Sequence, residues 1–240
     1  MLPILNLGPL ALQAPLLVLL AGIWAGISLS EKEARKAGLS EKNIGNLIFI
    51  TLGSFLVGAR LIFVLQNLDR YLDAPLGIIL PNPDTLALLE GSVVGLVTAV
   101  VYVQRKNLRL WETLDVLAPG LVVLFASLAG MNLASGDAYG TKSSLPWAIQ
   151  LWGSRRHPVQ GYELLLDGLI LAVLLRRSIP EKPGVRFLFT VTLLASGRFF
   201  LEGFRANSLV IGGGWRVAQL VLLLMVLGSL KMLRRRLFTP

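Results

Sequence analysis

Long apolar runs separated by short polar stretches dominate this chain. A hydrocarbon core of about 30 Å takes roughly 20 helical residues to cross. Runs near 10–29, 44–65, 85–103, 114–133, 162–179, 186–204 and 215–233 meet that demand. The pattern predicts an all-α polytopic membrane protein with about seven transmembrane helices, built as a single integral membrane domain over residues 1–240. Met1 to Ala11 contains no Lys or Arg, so the first run lacks the basic start of a cleavable signal peptide. No internal repeat is visible, and an odd number of spans argues against a simple inverted-repeat transporter.

Basic residues give the runs a direction. One set of connections holds Lys32, Arg35, Lys36 and Lys42, then Arg105, Lys106 and Arg109, then Arg176, Arg177, Lys182 and Arg186, and finally Lys231 and Arg234 to Arg236. The alternate connections hold only Arg70, Lys142, Arg155, Arg156, Arg205 and Arg216. Cytoplasmic loops carry the excess of Lys and Arg, which predicts an external N-terminus and a cytoplasmic C-terminus. The segment 134–161 is then an external loop, rich in turn residues such as Gly136, Asp137, Gly140 and Pro146. Pro158 stands where the next helix begins.

Direction turns sequence position into depth. Arg60 falls near the external end of the second span, Glu90 in the first turns of the third, and Asn132 at the outer end of the fourth. Arg156 and His157 precede the fifth, which opens with Gln160, Tyr162 and Glu163 and reaches Asp167 one turn deeper. The sixth delivers Arg198, Glu202 and Arg205, which share one helical stripe. Charges inside a bilayer cost about 2.5–3.5 kcal/mol on insertion scales, so they face a cavity or one another. Their gathering in the outer half points to a site there. Asp115, at the cytoplasmic end of the fourth span, is the exception and reads as a helix N-terminal residue stabilised by the dipole. Snorkelling of Arg60 and Arg205 to headgroups, an Arg198–Glu202 structural ion pair, and a loop hydrogen bond for His157 are the structural alternatives. Asp167 has no evident partner.

Composition agrees and narrows the chemistry. Hydrophobic residues make up 54% and charged residues 15% of 240, with a mean hydropathy of +0.68. Cysteine is absent and His157 is the one histidine, which excludes disulfides and a Cys- or multi-His metal site; no cofactor is expected. Any thiol must come from a substrate. The net charge of +9 reads as orientation and anionic membrane lipid, with no nucleic-acid partner. Arginine suits a phosphate ligand, and the carboxylates suit pairing or base work.

Several stretches resemble the prolipoprotein diacylglyceryl transferase family. Gly58-Ala59-Arg60-Leu61, followed by Phe63-Val64-Leu65, is similar to its GARL-x-YVL segment. Asn132 with Gly136-Asp137-x-Tyr139-Gly140 resembles the second half of its GRxGNFxNGExxG signature, and Leu145-Pro146-Trp147 matches the stretch that follows. Arg156-His157-Pro158-Val159-Gln160-Gly161-Tyr162-Glu163 is similar to its RHPSQLYE segment, and Gly197 to Arg205 to its RFxxEFxRE segment. Order and spacing hold from about residue 15 to the end. The sequence departs from the pattern at Ala129, where the signature has arginine, at Met131, Ser135 and Asp137, and at Glu90, where an HGG segment has histidine. No tyrosine precedes Tyr71.

The resemblance implies seven spans with an external N-terminus in a bacterial cytoplasmic (inner) membrane, and a site toward the external leaflet. It implies transfer of diacylglyceryl from phosphatidylglycerol to the lipobox Cys thiol of a prolipoprotein signal peptide. In that reading Arg198 takes the phosphate, with Glu202 holding its guanidinium, and Arg60 and Arg156 stand second. Asn132 and Gln160 hydrogen-bond the glycerol head, while Asp137, Tyr162, Glu163 and Arg205 complete the substrate-binding set. Glu90 and His157 are the two candidate bases for the thiol. A non-catalytic homologue that binds phospholipid or prolipoprotein is the main alternative, and a small transporter the other.

Overall fold

The computed structural model describes residues 4–7, 10–73, 75–78, 85–176, 179 and 182–238 of the chain. Arg177, and with it the end of the fifth expected span at residues 177 and 178, lies outside the described residues. Among the described residues there are eight α-helices: α1 (Ala14–Lys36), α2 (Glu41–Gln66), α3 (Leu68–Asp73), α4 (Leu88–Arg105), α5 (Leu110–Ser135), α6 (Val159–Leu175), α7 (Val185–Glu202) and α8 (Val217–Phe238). Apart from residues at its ends, the described part of each apolar run lies in a helix other than the short α3.

Five of these helices, α1, α2, α4, α5 and α8, are long and apolar enough to cross a membrane. The other two long helices carry ionisable groups within their length. α6, with 17 residues, holds Glu163 and Asp167, and α7, with 18, holds Arg186, Arg198 and Glu202. The helix surfaces fit a lipid solvent: Phe49, Leu56, Val57, Leu61 and Leu65 on α2, Leu165 and Leu169 on α6, and Leu224 on α8 are all exposed. The protein is a polytopic, predominantly α-helical membrane protein.

Among the described residues, three short antiparallel two-stranded hairpins accompany the helices of this all-α architecture: β1 (Ile4–Leu7) with β2 (Leu10–Gln13), β3 (Ile149–Leu151) with β4 (Ser154–Arg156), and β5 (Val210–Ile211) with β6 (Trp215–Arg216). Residues 10–13, expected as the start of the first span, are strand rather than helix. Outside the helices each backbone N–H and C=O still needs a partner, and a hairpin supplies it locally.

The described residues cluster into two compact units, Met1–Glu33 with Leu114–Pro240, and Ala34–Thr113. In the first, α1 and α5 approach through small residues. A side chain on Gly22 would strike Ser127, and Gly120 faces the Gly26 carbonyl and Ser30 Oγ with no room for a Cβ. Such stripes let helix backbones pack closely where lipid supplies no hydrophobic drive. Val122, Ile170, Leu174 and Leu194 form a buried core between α5, α6 and α7, and Thr192 Oγ1 donates to Ser229 Oγ across α7 and α8 at 2.8 Å.

The start of α7 is held from outside its own sequence. Its N-cap, Gly184, supplies no side chain. Asp115, five residues into α5, accepts from Gly184 N at 2.6 Å and from Phe187 N at 2.7 Å. Asp115 therefore caps the N-terminus of α7 and not that of its own helix. Next to it, Arg186 pairs with Glu33 of α1 at 2.6 Å and donates to Leu174 O of α6 at 3.1 Å.

In the second unit α2 and α4 pack on a Gly91-x-x-x-Gly95 stripe. A Cβ on Gly91 would overlap Ala59 and the Phe55 carbonyl, and Ala87 N donates to Ala59 O at 3.0 Å. The turn before α2 uses Gly38 at φ 70°. Leu39 N donates to Ala34 O and Gly38 N to Arg35 O, a Schellman closure. Ser40 then caps α2 by accepting from Asn43 N.

Asp115→Ala removes two charge-assisted caps from buried amides and is expected to cost about 2 kcal/mol. The check is equilibrium unfolding in mixed micelles, with hydrogen exchange at Val185 to Leu188 rising ahead of the rest of α7.

Candidate functional site: an ionic ladder between two helices

Helical spacing places Gln160, Glu163 and Asp167 on one face of α6, and all three are buried. Opposite them, α7 presents Arg198, Glu202 and, one turn beyond, Arg205. The rungs form in order. Arg198 Nη1 and Nη2 donate to Asp167 Oδ1 and Oδ2, both at 2.9 Å. Arg205 Nη2 donates to Glu163 Oε1 at 2.5 Å, and Arg205 Nε stands 3.6 Å from Glu202 Oε2. Asp167 is wholly buried, at 0% exposure, against 16% for the Arg198 side chain. The Arg198 guanidinium also lies over the Phe125 ring of α5, 4.4 Å from its centroid.

Asp167, which the sequence left without a partner, thus takes the place expected of Glu202 and holds Arg198. The signal was present as an i, i+3, i+7 stripe with Gln160 and Glu163. Glu202 reaches Arg205 instead. Arg216, which sequence reasoning passed over, donates to Glu202 O and Arg205 O at 2.6 Å and to Ser208 Oγ at 2.7 Å. It ties the Glu202 carbonyl at the end of α7, and the Arg205 carbonyl just beyond it, to strand β6.

The segment 134–161 is folded against this end of α6 and α7. Thr141 N donates to Phe204 O at 2.7 Å, Ala206 N to Tyr139 O at 3.0 Å and His157 N to Thr141 O at 3.0 Å. Gly140 lies at the crossing, where any side chain would collide with the His157 carbonyl. Arg156 braces the loop: Nε donates to Leu151 O, Nη1 to Gly140 O, and the guanidinium covers Tyr139 at 4.7 Å. Asp137 is exposed and offers its main-chain carbonyl, which accepts from Gln160 Nε2 at 2.5 Å. Asn132 is partly buried, and its carbonyl accepts from Gly136 N at 2.8 Å.

His157, Tyr162 and Trp147 form a relay. Trp147 Nε1 donates to Tyr162 Oη at 2.8 Å, and Tyr162 Oη lies 3.3 Å from His157 Nδ1. Indole N–H can only donate, so Tyr162 Oη keeps both its own proton and a lone pair for the contact with Nδ1. Phe204 packs on the imidazole at 5.1 Å.

Arg60 and Glu90 belong to the second unit. Arg60 organises the loop before α4, donating from Nε to Ile78 O at 3.0 Å, from Nη2 to Gly77 O at 2.5 Å and from Nη1 to Thr85 O at 2.9 Å. Thr85 Oγ1 is a further partner, and Tyr71 lies 5.5 Å from the guanidinium. Glu90 Oε1 accepts from Gln66 Nε2 at 3.1 Å.

The family model described as prolipoprotein diacylglyceryl transferase matches residues 3–235. The chain belongs to the prolipoprotein diacylglyceryl transferase family. Among its relatives, the protein named phosphatidylglycerol–prolipoprotein diacylglyceryl transferase in Clostridioides difficile (strain 630) is 29% identical over 89% of this chain and 86% of its own length. The Staphylococcus aureus (strain Newman) protein of the same name is 29% identical over 98% of this chain and 89% of its own. That of Shouchella clausii (strain KSM-K16) is 28% identical over 94% and 86%. The diacylglyceryl transferase match therefore spans α1 to α8, with the ladder and the segment folded over it.

Removing one partner of a buried pair strands the other charge, at about 3–5 kcal/mol. Asp167→Ala is expected to destabilise by that order, and the Asp167→Ala/Arg198→Ala double variant by clearly less than the sum of the two singles. A double-mutant cycle in detergent reads the coupling, and additive losses would show that the two side chains do not interact.

Proposed function

We propose that this family member transfers the diacylglyceryl group of phosphatidylglycerol to the lipobox cysteine thiol of a prolipoprotein. It does so as a single membrane domain of seven spans, α6 and α7 included, with the N-terminus outside and the C-terminus cytoplasmic. The membrane is the bacterial cytoplasmic (inner) membrane, and segment 134–161 is external. The observation that carries the reading is the buried ladder: two preorganised guanidiniums at one end of α6 and α7, in a chain whose relatives bear the transferase name.

In this reaction the C–O bond between the diacylglyceryl carbon and phosphate breaks and a C–S bond forms. Glycerol phosphate departs, and the thiol proton passes to a base. Charge grows on the departing phosphate, where fixed donors in a dry site act most strongly. Arg198, locked by Asp167, offers its remaining N–H groups to that phosphate without reorganising. The thiolate is the nucleophile, and His157, oriented by Tyr162, and Glu90 are the bases the reading allows. Arg156, Asn132, Asp137, Tyr162, Glu163, Glu202 and Arg205 shape the substrate surroundings, and Arg60 holds its own loop.

A second reading is a homologue that binds phospholipid or prolipoprotein without reacting. It is favoured by the commitment of both ladder arginines to carboxylates and by Ala129, buried one turn from Phe125 on α5. Purified protein, phosphatidylglycerol vesicles and a lipobox peptide separate the two. Mass spectrometry is expected to find the diacylglyceryl thioether, with Arg198→Ala slower by roughly 10²–10³-fold. Unchanged turnover by Arg198→Ala sinks the phosphate assignment, full turnover by Glu90→Gln excludes that base, and lipid binding with no thioether selects the second reading.

A further inference from the structure

The link from α7 to α8 contains a run that the candidate site does not use. Leu209 to Trp215 reads Leu-Val-Ile-Gly-Gly-Gly-Trp, without a polar side chain. A connection in water is ordinarily polar. Here Leu209, Val210, Ile211 and Trp215 stand 71%, 52%, 48% and 63% exposed, and the glycines between them are exposed too. The run is nevertheless built rather than slack. Ile211 pairs with Trp215 and Val210 with Arg216. Gly213 and Gly214 turn the chain at φ 79° and 83°, which glycine adopts without strain. Val217 N donates to Leu209 O at 3.0 Å, and Arg216 secures the base through Glu202 O, Arg205 O and Ser208 Oγ. The shafts on either side are also apolar and exposed: Phe200 and Phe204 at and just beyond the end of α7, Val221 and Leu224 in the first turns of α8.

We infer that this hairpin is an interfacial wedge, seated in the headgroup–acyl boundary of the bilayer beside α7 and α8, and that it sets the depth of the ladder's Arg205 end. That the boundary is the outer leaflet's rests on the orientation proposed above. Two opposing demands fix the level. The apolar side chains disfavour water as a neighbour. The main chain disfavours hydrocarbon, because a two-stranded ribbon pairs one edge of each strand and leaves the other edge to water or headgroups. The boundary, entered by about 5–10 Å, satisfies both. Tryptophan suits it, with an apolar ring and a single N–H donor. The exposed shafts lead directly into the hairpin, so the lipid that covers them covers it. A second copy of the chain is a poorer occupant, since four side chains fall far short of the roughly 20–30 residues a side of a stable protein interface. Arg216 ties the base to the Glu202 and Arg205 carbonyls, and the depth of the wedge passes through it to the Arg205–Glu163 contact.

The chain has no cysteine, so a single introduced thiol reports position without background. Ile211→Cys, Ala206→Cys and Ser144→Cys, all at exposed positions, each carry a nitroxide on the full chain in vesicles of phosphatidylethanolamine and phosphatidylglycerol. Collisions with oxygen, which concentrates in lipid, and with a water-soluble nickel chelate report the depth of each label. At Ile211 oxygen is expected to dominate several-fold, and at Ser144 the chelate. The Ala206 label is then compared with the same label in a Leu209→Ser/Trp215→Ser background, where both substitutions are at exposed side chains and remove no core. Its chelate collisions are expected to rise several-fold as the wedge loses its hold. An Ile211 label that meets the chelate as freely as the Ser144 label overturns the wedge. So does an Ile211 label shielded from both reagents until the protein is diluted with lipid, which marks a second copy as the occupant. An Ala206 label unmoved by the double substitution overturns the depth-setting role. The measurement needs no turnover: a chain that forms no thioether leaves the wedge standing, and transfer with the hairpin in water overturns the wedge alone.

Discussion

The two-pronged contact between Asp167 and Arg198 is the constraint on which the rest of the site depends. Asp167 is wholly buried, and breaking such a pair strands a charge at about 3–5 kcal/mol. Together, with Phe125 beneath the guanidinium, they fix the register of α6 against α7. That register brings Glu163 to Arg205 and sets Gln160 beneath the Asp137 carbonyl. A slip of α7 by one residue would turn Arg198 about 100° away from Asp167 and break every rung. Such a pair is weak evidence for stability, since a well-packed apolar pair of equal size often does as well. Its value is positional.

Around this pair, weaker devices keep the helix ends in place. Asp115 and the Glu33–Arg186 contact hold one end of α7, and Arg216 with the Gly140 crossing holds the other. Small residues do the work along the shafts: Gly22, Gly26 and Gly120 in one unit, Gly91 and Gly95 in the other. The apolar exterior is left to lipid, and polar contacts are reserved for places where a helix end or a charge must be satisfied.

The helices were legible because twenty-odd apolar residues have one economical structure in a bilayer. So were the positions of Arg198, Glu202 and Arg205, because helical periodicity alone puts them on a stripe. Pairing was not legible. Arg198 with Glu202 at i,i+4 is the local choice, but an antiparallel neighbour offers Asp167 with bidentate geometry, and two-pronged recognition of a guanidinium is the stronger bond. For the same reason the role of Asp115 was assigned to its own helix when the open amides belonged to α7. Arg60 and Arg156, expected beside a phosphate, have carbonyls of their own loops as partners. A sequence shows an arginine's charge but not which carbonyls fold back on it. The three hairpins escaped because each is held by main-chain bonds that leave little trace in composition.

The ladder gives the proposed reaction a preorganised guanidinium, in a chain that carries alanine where the resemblance expects an arginine. Whether that arrangement suffices for lipid transfer is decided most directly by complementation. The intact chain is expressed in a bacterium depleted of its own prolipoprotein diacylglyceryl transferase, with membrane insertion confirmed by fractionation. The account predicts restored growth together with diacylglyceryl-modified lipoproteins in the membrane. Full-length protein present in the membrane at normal levels, with lipoproteins still unmodified, would contradict it.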